Sequence, residues 1–354
     1  MKRSLYVLVA ILIFCLALPG AALAKKKDKE AKEVQADQTD RILKGHRFLR
    51  PLSFPMAIPN TNVGVALGYA YSQSVFDEEI DIILLQEDTF NAAGLAEMID
   101  VEFAFLNRFS LEFLFEGRAL AGADENTAIL YGGQGFYTVS AIPKLMIWQS
   151  DKTGTCISAT ADFVIDQGVQ SSPAVLFARL LQNFADLIDE IAATQELPSE
   201  DDIKDVAKLK LKDTIITQSV MSVRPSLLIA QTLHPVFGIQ LGARYDYGFQ
   251  EDVDAAPEFE LEAGDPPTSL MFGGVGTFDF NPVSRLHLGL KIEGDYEMTE
   301  DDEEEYDTLT VGGGIMYTGR KDLDLGATVY RITTDTEEVS EQILVLMLNM
   351  KYFF

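Results

Sequence analysis

Apolar and polar residues alternate with a period of two along most of this chain, the pattern of β-strands with one apolar and one polar face. Between Val236 and Phe249, residues Phe237, Ile239, Leu241, Ala243, Tyr245, Tyr247 and Phe249 share one face. Gly238, Gln240, Gly242, Arg244, Asp246 and Gly248 share the other. Leu288, Leu290, Ile292 and Tyr296 oppose His287, Lys291, Glu293 and Asp295, and Phe109, Leu111, Phe113 and Phe115 oppose Ser110, Glu112 and Glu116. The alternation predicts twelve strands, at 61–76, 97–106, 109–121, 134–148, 156–170, 217–232, 236–249, 267–281, 285–298, 307–318, 322–334 and 341–354. Pro143 and Pro225 fall inside two of them, where a missing N–H predicts a bulge or a strand end.

The connectors alternate in length. Short ones (107–108, 149–155, 233–235, 282–284, 319–321) take turns with long ones (77–96, 122–133, 171–216, 250–266, 299–306). After residue 24 no run of 18 apolar residues exists, so nothing there predicts a transmembrane helix. Short turns on one rim and long loops on the other predict an all-β fold: a 12-stranded antiparallel up-and-down transmembrane β-barrel over 61–354. An even strand number returns both termini to the short-turn side, the periplasm. Charge follows the same division. Glu251, Asp252, Asp254 and the run Glu300–Glu305 lie in long loops, whereas Arg108, Lys152, Arg320 and Lys321 lie at short turns.

The last segment alternates through Leu344, Leu346, Leu348, Met350, Tyr352 and Phe354 to a terminal aromatic. This resembles the C-terminal signal of bacterial outer-membrane β-barrel proteins, which implies outer-membrane localisation in a Gram-negative cell. The resemblance also implies recognition of Met350, Tyr352 and Phe354 by the β-barrel assembly machinery. The competing fold is a soluble periplasmic sandwich or barrel, which would turn the same apolar face inward. Aromatics at the ends of the apolar faces and small residues on the polar faces favour the membrane.

Residues 1–24 read as a secretory signal peptide, with Lys2 and Arg3, an apolar stretch from Leu5 to Leu18, and Ala22-Leu23-Ala24 before the cut. Lys25–Asp40 is a charged leader without periodicity. Three prolines, Pro51, Pro55 and Pro59, stand among apolar residues in the next stretch, and Phe48–Pro59 is the hatch candidate for the barrel.

Composition narrows the function. Acidic residues outnumber basic ones 55 to 28, for a net charge of -27, which excludes a nucleic-acid partner held by phosphate contacts. An apolar content of 47% excludes general disorder. Cys156 alone remains beyond the signal peptide, too little for a disulfide, a zinc site or a redox motif. No cofactor or metal is expected. Gly273-Gly274-Val275-Gly276 lacks the Lys-Ser/Thr of a phosphate loop and reads as barrel curvature.

If the apolar face meets lipid, the polar face lines the lumen. Its acids include Asp100, Glu102, Glu112, Glu116, Asp162, Asp166, Asp246, Glu293, Asp295 and Asp324, and its bases Arg118, Lys144, Arg224, Arg244, Lys291 and Lys351. Such a ladder either selects small polar or cationic solutes or braces and partly closes a narrow barrel. In the longest loop, Phe177, Leu180, Leu181, Phe184, Leu187 and Ile188 recur at helical spacing, predicting an amphipathic helical insertion with an apolar capture or lid face. In logic this resembles long-chain fatty-acid channels with a hydrophobic outer site and an N-terminal hatch, though those have fourteen strands.

The expected function is therefore a porin-like, monomeric channel for passive uptake of small solutes, in contact with outer-membrane lipid and lipopolysaccharide. The alternative is a closed structural or interaction barrel working through its helical loop. An outer-membrane hydrolase is weaker, because His46, His234 and His287 all fall on the periplasmic side, leaving His287 beside Glu293 as the one candidate. With no passenger segment ahead of the barrel, an autotransporter is not expected.

Overall fold

The structure, a computed structural model, describes residues 41–354 apart from 83–84, 106–107, 124–127, 129–131, 172–214, 255–263, 265, 285, 301–304 and 337–338. The signal peptide, the charged leader and the Phe177–Ile188 helix expected from the sequence lie outside the described residues.

A two-stranded hairpin comes first: β1 (Ile42–Leu43) and β2 (His46–Arg47), turning at Lys44 and Gly45, both at positive φ. Twelve long strands follow: β3 (Asn62–Ile82), β4 (Leu85–Phe105), β5 (Phe109–Gly122), β6 (Gly133–Ser150), β7 (Thr155–Ser171) and β8 (Ile215–His234), then β9 (Phe237–Asp254), β10 (Thr268–Asp279), β11 (Leu288–Glu300), β12 (Glu305–Arg320), β13 (Leu323–Asp335) and β14 (Val339–Phe353). A single helical turn, α1 (Asn281–Ser284), links β10 to β11. Each long strand pairs antiparallel with the next, and β14 pairs with β3 from Phe353↔Asn62 to Val339↔Phe76, closing the barrel. Closure leaves no unpaired sheet edge, the condition for crossing lipid with strands. No helix among the described residues is long and apolar enough to cross a membrane.

The alternation dictates which way each side chain faces. On β14, Leu348 is 69% exposed and its neighbour Met347 is 3% exposed. Leu95 and Ala96 on β4 behave alike, at 70% and 3%. A soluble sandwich or barrel would reverse these values, so the apolar face is the outer surface of this barrel. Aromatics ring both ends of this surface: Phe103, Phe105, Trp148 and Tyr352 towards the turns, and Tyr69, Tyr245, Tyr247 and Tyr296 towards the loops.

Two expectations need correction. The 77–96 connector is mostly strand, since β3 runs on to Ile82 and β4 begins at Leu85. Pro143 and Pro225 neither end their strands nor create bulges. Pairing lapses beside each one, towards β7 at Pro143 and towards β9 at Pro225, and resumes in the same register. A missing N–H breaks one rung without moving the ladder. Bulges occur elsewhere, between Met146 and Trp148 and between Met221 and Ser222.

Candidate functional site: a plugged lumen

Residues 41–60 run inside the barrel, and their two sides meet different chemistry. One side is apolar. Leu43, Phe48, Phe54, Met56, Ala57 and Ile58 form one buried cluster with Met146, Cys156, Leu228, Ala230 and Met271 of the wall. The wall is carved for this fit. A Cβ on Gly242 would stand 2.7 Å from Cδ1 of Phe54, and one on Gly238 would stand 2.4 Å from Cδ2 of His46. Gly273 flanks the same Phe54 ring, where an added Cβ would stand 2.8 Å from Cε2.

The other side is ionic. Arg50 Nη1 lies 2.7 Å from both Asp100 Oδ2 and Glu112 Oε1. Lys351 Nζ donates to Asp100 at 2.6 Å, and Lys144 Nζ donates to Glu102 at 2.7 Å and lies 3.8 Å from Glu112. Burial works against the charge of Arg50, but Asp100 and Glu112 outweigh it and raise its pKa above the ordinary arginine value. Arg41 pairs with Asp324 and stacks on Phe353, its guanidinium carbon 3.7 Å from the ring centre. Backbone groups are held as well. Leu52 N–H donates to Glu293 at 2.7 Å, Ala57 N–H to Gln240 at 2.9 Å, and Lys291 Nζ to the Arg50 carbonyl at 3.1 Å. An irregular, proline-rich segment can lie buried because its polar groups find these partners.

Beyond the plug, towards the loops, lies a cavity of about 430 Å³. Its floor is Arg50, Leu52, Ser53, Phe54 and Pro55. Ala96, Met98, Tyr330, Ile343 and Met347 make one wall apolar, whereas Glu116, Arg118, Asp162, Arg224, Arg244 and Asp295 supply charge. Arg224 is already engaged, by Asp166 at 2.5 Å and by Asp246.

The expected lumen residues thus divide by height. Glu102, Glu112, Lys144, Lys291, Glu293 and Lys351 grip the plug or one another beside it. Glu116, Arg118, Asp162, Arg224, Arg244 and Asp295 line the cavity, with Asp166 and Asp246 holding Arg224, while Arg244 and Asp295 also hold Ser53 of the plug. Sequence reasoning assigned no lumen contact to Arg41, His46 or Arg50, although Arg50 falls within the Phe48–Pro59 hatch candidate. Phe177, Leu180, Leu181, Phe184, Leu187 and Ile188 lie outside the described residues. Met350, Tyr352 and Phe354 are on the outer surface, the rings of Tyr352 and Phe354 meeting edge to face at 4.9 Å.

The histidines do not assemble a catalytic pair. His46 is buried, with Nε2 2.8 Å from Thr277 Oγ1, and burial pushes its pKa down to about 4. His287 meets Asn281 at 2.9 Å, while Glu293 is taken by Lys291 and Leu52. Among the described residues, no group of His, Cys, Asp or Glu side chains is arranged to hold a metal ion.

A closed barrel of twelve strands, apolar outside and charged inside, has the fold class of bacterial outer-membrane β-barrels. No protein-family model and no curated protein matches the chain. Among solved structures, it is similar to the COG4313 outer membrane channel from Pseudomonas putida F1, with a TM-score of 0.54 and 11% identity over 87% of this chain and 100% of that one. It is also similar to the transport unit of the autotransporter AIDA-I from Escherichia coli, with a TM-score of 0.50 and 10% identity over 87% of this chain and 94% of that one. Identities this low speak for the fold alone.

Proposed function

We propose that this chain is a porin-like outer-membrane channel that passes small solutes down a gradient, closed at its turn end by residues 41–60. The supporting observation is the kind of closure. The cavity of about 430 Å³ ends on a separate chain segment, joined to the wall by side-chain contacts, and not on the wall itself. Such a segment can withdraw while every strand stays paired. With the turns on the periplasmic side, solute would enter from the loops and leave past the plug.

The second reading, a closed structural or interaction barrel, is favoured by the depth of the ionic grip on Arg50. Single-channel recording of the refolded protein in a planar bilayer, under a salt gradient, separates the two. Discrete openings with a cation-shifted reversal potential are expected of the channel. A folded barrel that stays silent, with or without residues 41–60, would establish the closed reading.

A further inference from the structure

The charges around the cavity do not balance internally. Arg50 is paired with Asp100 and Glu112, and Arg224 with Asp166 and Asp246. Glu116, Asp162, Asp295, Glu297 and Glu341 line the cavity and form no ion pair among the described residues. Arg118 and Arg244 are the cavity's only cations likewise left without a carboxylate among the described residues. The wall therefore holds more uncompensated acid than base.

Asp162 is the sharpest case. It is 4% exposed, lies on the cavity wall, and its Oδ1 has no hydrogen-bond partner. Its cross-strand neighbour is Arg224, whose guanidinium is turned instead to Asp166 and Asp246. Val164 follows on the same face of β7, and Ile142 lines the cavity from β6. A buried carboxylate left in this state is unfavourable until a cation or a hydrogen-bond donor arrives. Facing the charged side is the apolar wall of Met98, Tyr330, Ile343 and Met347.

We infer that the cavity is a binding site for small amphiphilic organic cations. The ammonium group would sit on Asp162, and the apolar body would lie against the methionine and tyrosine wall. A volume of about 430 Å³ accommodates a solute of single-ring size with room for water. The inference concerns occupancy and does not need the plug to open, so it can fail or succeed independently of the channel reading.

Titration calorimetry on the refolded full chain in a non-ionic detergent, at mildly alkaline pH, tests it with three probes of one shape: phenethylammonium, 2-phenylethanol and phenylacetate. Expected is saturable binding of the ammonium at least tenfold tighter than the alcohol, with the acetate weakest, and a loss of tenfold or more in Asp162→Asn. Equal affinity for the alcohol, preference for the acetate, absence of ammonium binding, or an unchanged Asp162→Asn would each overturn the inference. Should Asp162→Asn not refold, methyl-labelled methionine spectra of the unaltered protein locate the site. Phenethylammonium must shift the Met98, Met271 and Met347 signals, and unmoved signals would equally refute the assignment.

Discussion

A single methyl group on the lumen wall should loosen the plug without touching any charge. In Gly242→Ala the new Cβ would stand 2.7 Å from Cδ1, 2.8 Å from Cε1 and 2.9 Å from Cγ of Phe54. That ring cannot shift sideways easily, because Gly273 flanks it and Arg244 lies over it at 5.7 Å. Overpacking of this kind costs about 1–3 kcal/mol. The strand itself tolerates alanine at least as well as glycine, so the cost falls on the docked plug. By the Boltzmann factor this raises the undocked fraction roughly 5- to 150-fold. Trypsin reads that fraction at the Arg47–Phe48 bond, since both residues are buried when docked. Cleavage should accelerate by that factor while heat-modifiable gel mobility, the mark of an intact barrel, is unchanged. Phe54→Ala provides the control. It removes the obstructing ring, so adding Gly242→Ala to it should change nothing further. An equal effect of Gly242→Ala in both backgrounds would show that it acts through β9 and would refute the seat described for Phe54.

Three further outcomes follow from the same geometry. Arg50→Met should strand Asp100 and Glu112 with only Lys351 and Lys144, weaken docking by roughly 3–5 kcal/mol, and lengthen open times in single-channel recordings. The docked plug keeps His46 neutral with a pKa near 4, whereas a free imidazole protonates near 6.5. The undocked state therefore binds the extra proton, and docking weakens as pH falls from 6.5 to about 4, by roughly 3 kcal/mol in all, and is flat above that window. Proteolysis against pH should show this slope, and His46→Gln should abolish that part of it. Phe354→Ala should depress assembly in cells yet leave refolding in detergent nearly unchanged. Equal loss in both would deny Phe354 a recognition role.

All twelve barrel strands were legible because lipid on one side and water or plug on the other impose a strict period of two. The same parity placed Glu102, Glu112, Asp162 and Lys291 inside. It failed over 77–96, where Asp77, Glu79 and Glu87 break the alternation of the sequence. The plug's partners were illegible for another reason. Arg41 and Asp324 are 283 positions apart, and no local pattern links them. A signal was nevertheless present: the inward face holds more acids than bases, and the segment ahead of it carries Arg41, Arg47 and Arg50. Those arginines supply part of the missing positive charge. Gly273 reads as curvature in the sequence and Gly242 as one more position of a polar face, and only the position of Phe54 shows both to be seats.

The contact of Arg41 with Asp324 and Phe353 bears on how the molecule is made. It ties the segment ahead of the first barrel strand to β13 and β14, the last two strands of the barrel. Where this segment docks before the β14–β3 seam zips, the seam closes around it. Zipping of that seam is the slowest kind of step, a pairing of the first and last barrel strands with the largest loop-closure entropy to overcome. An inserted segment that grips both β3–β5 and β13–β14 holds those strands near each other beforehand. Residues 41–60 would then serve first as a mandrel on which the barrel is wound.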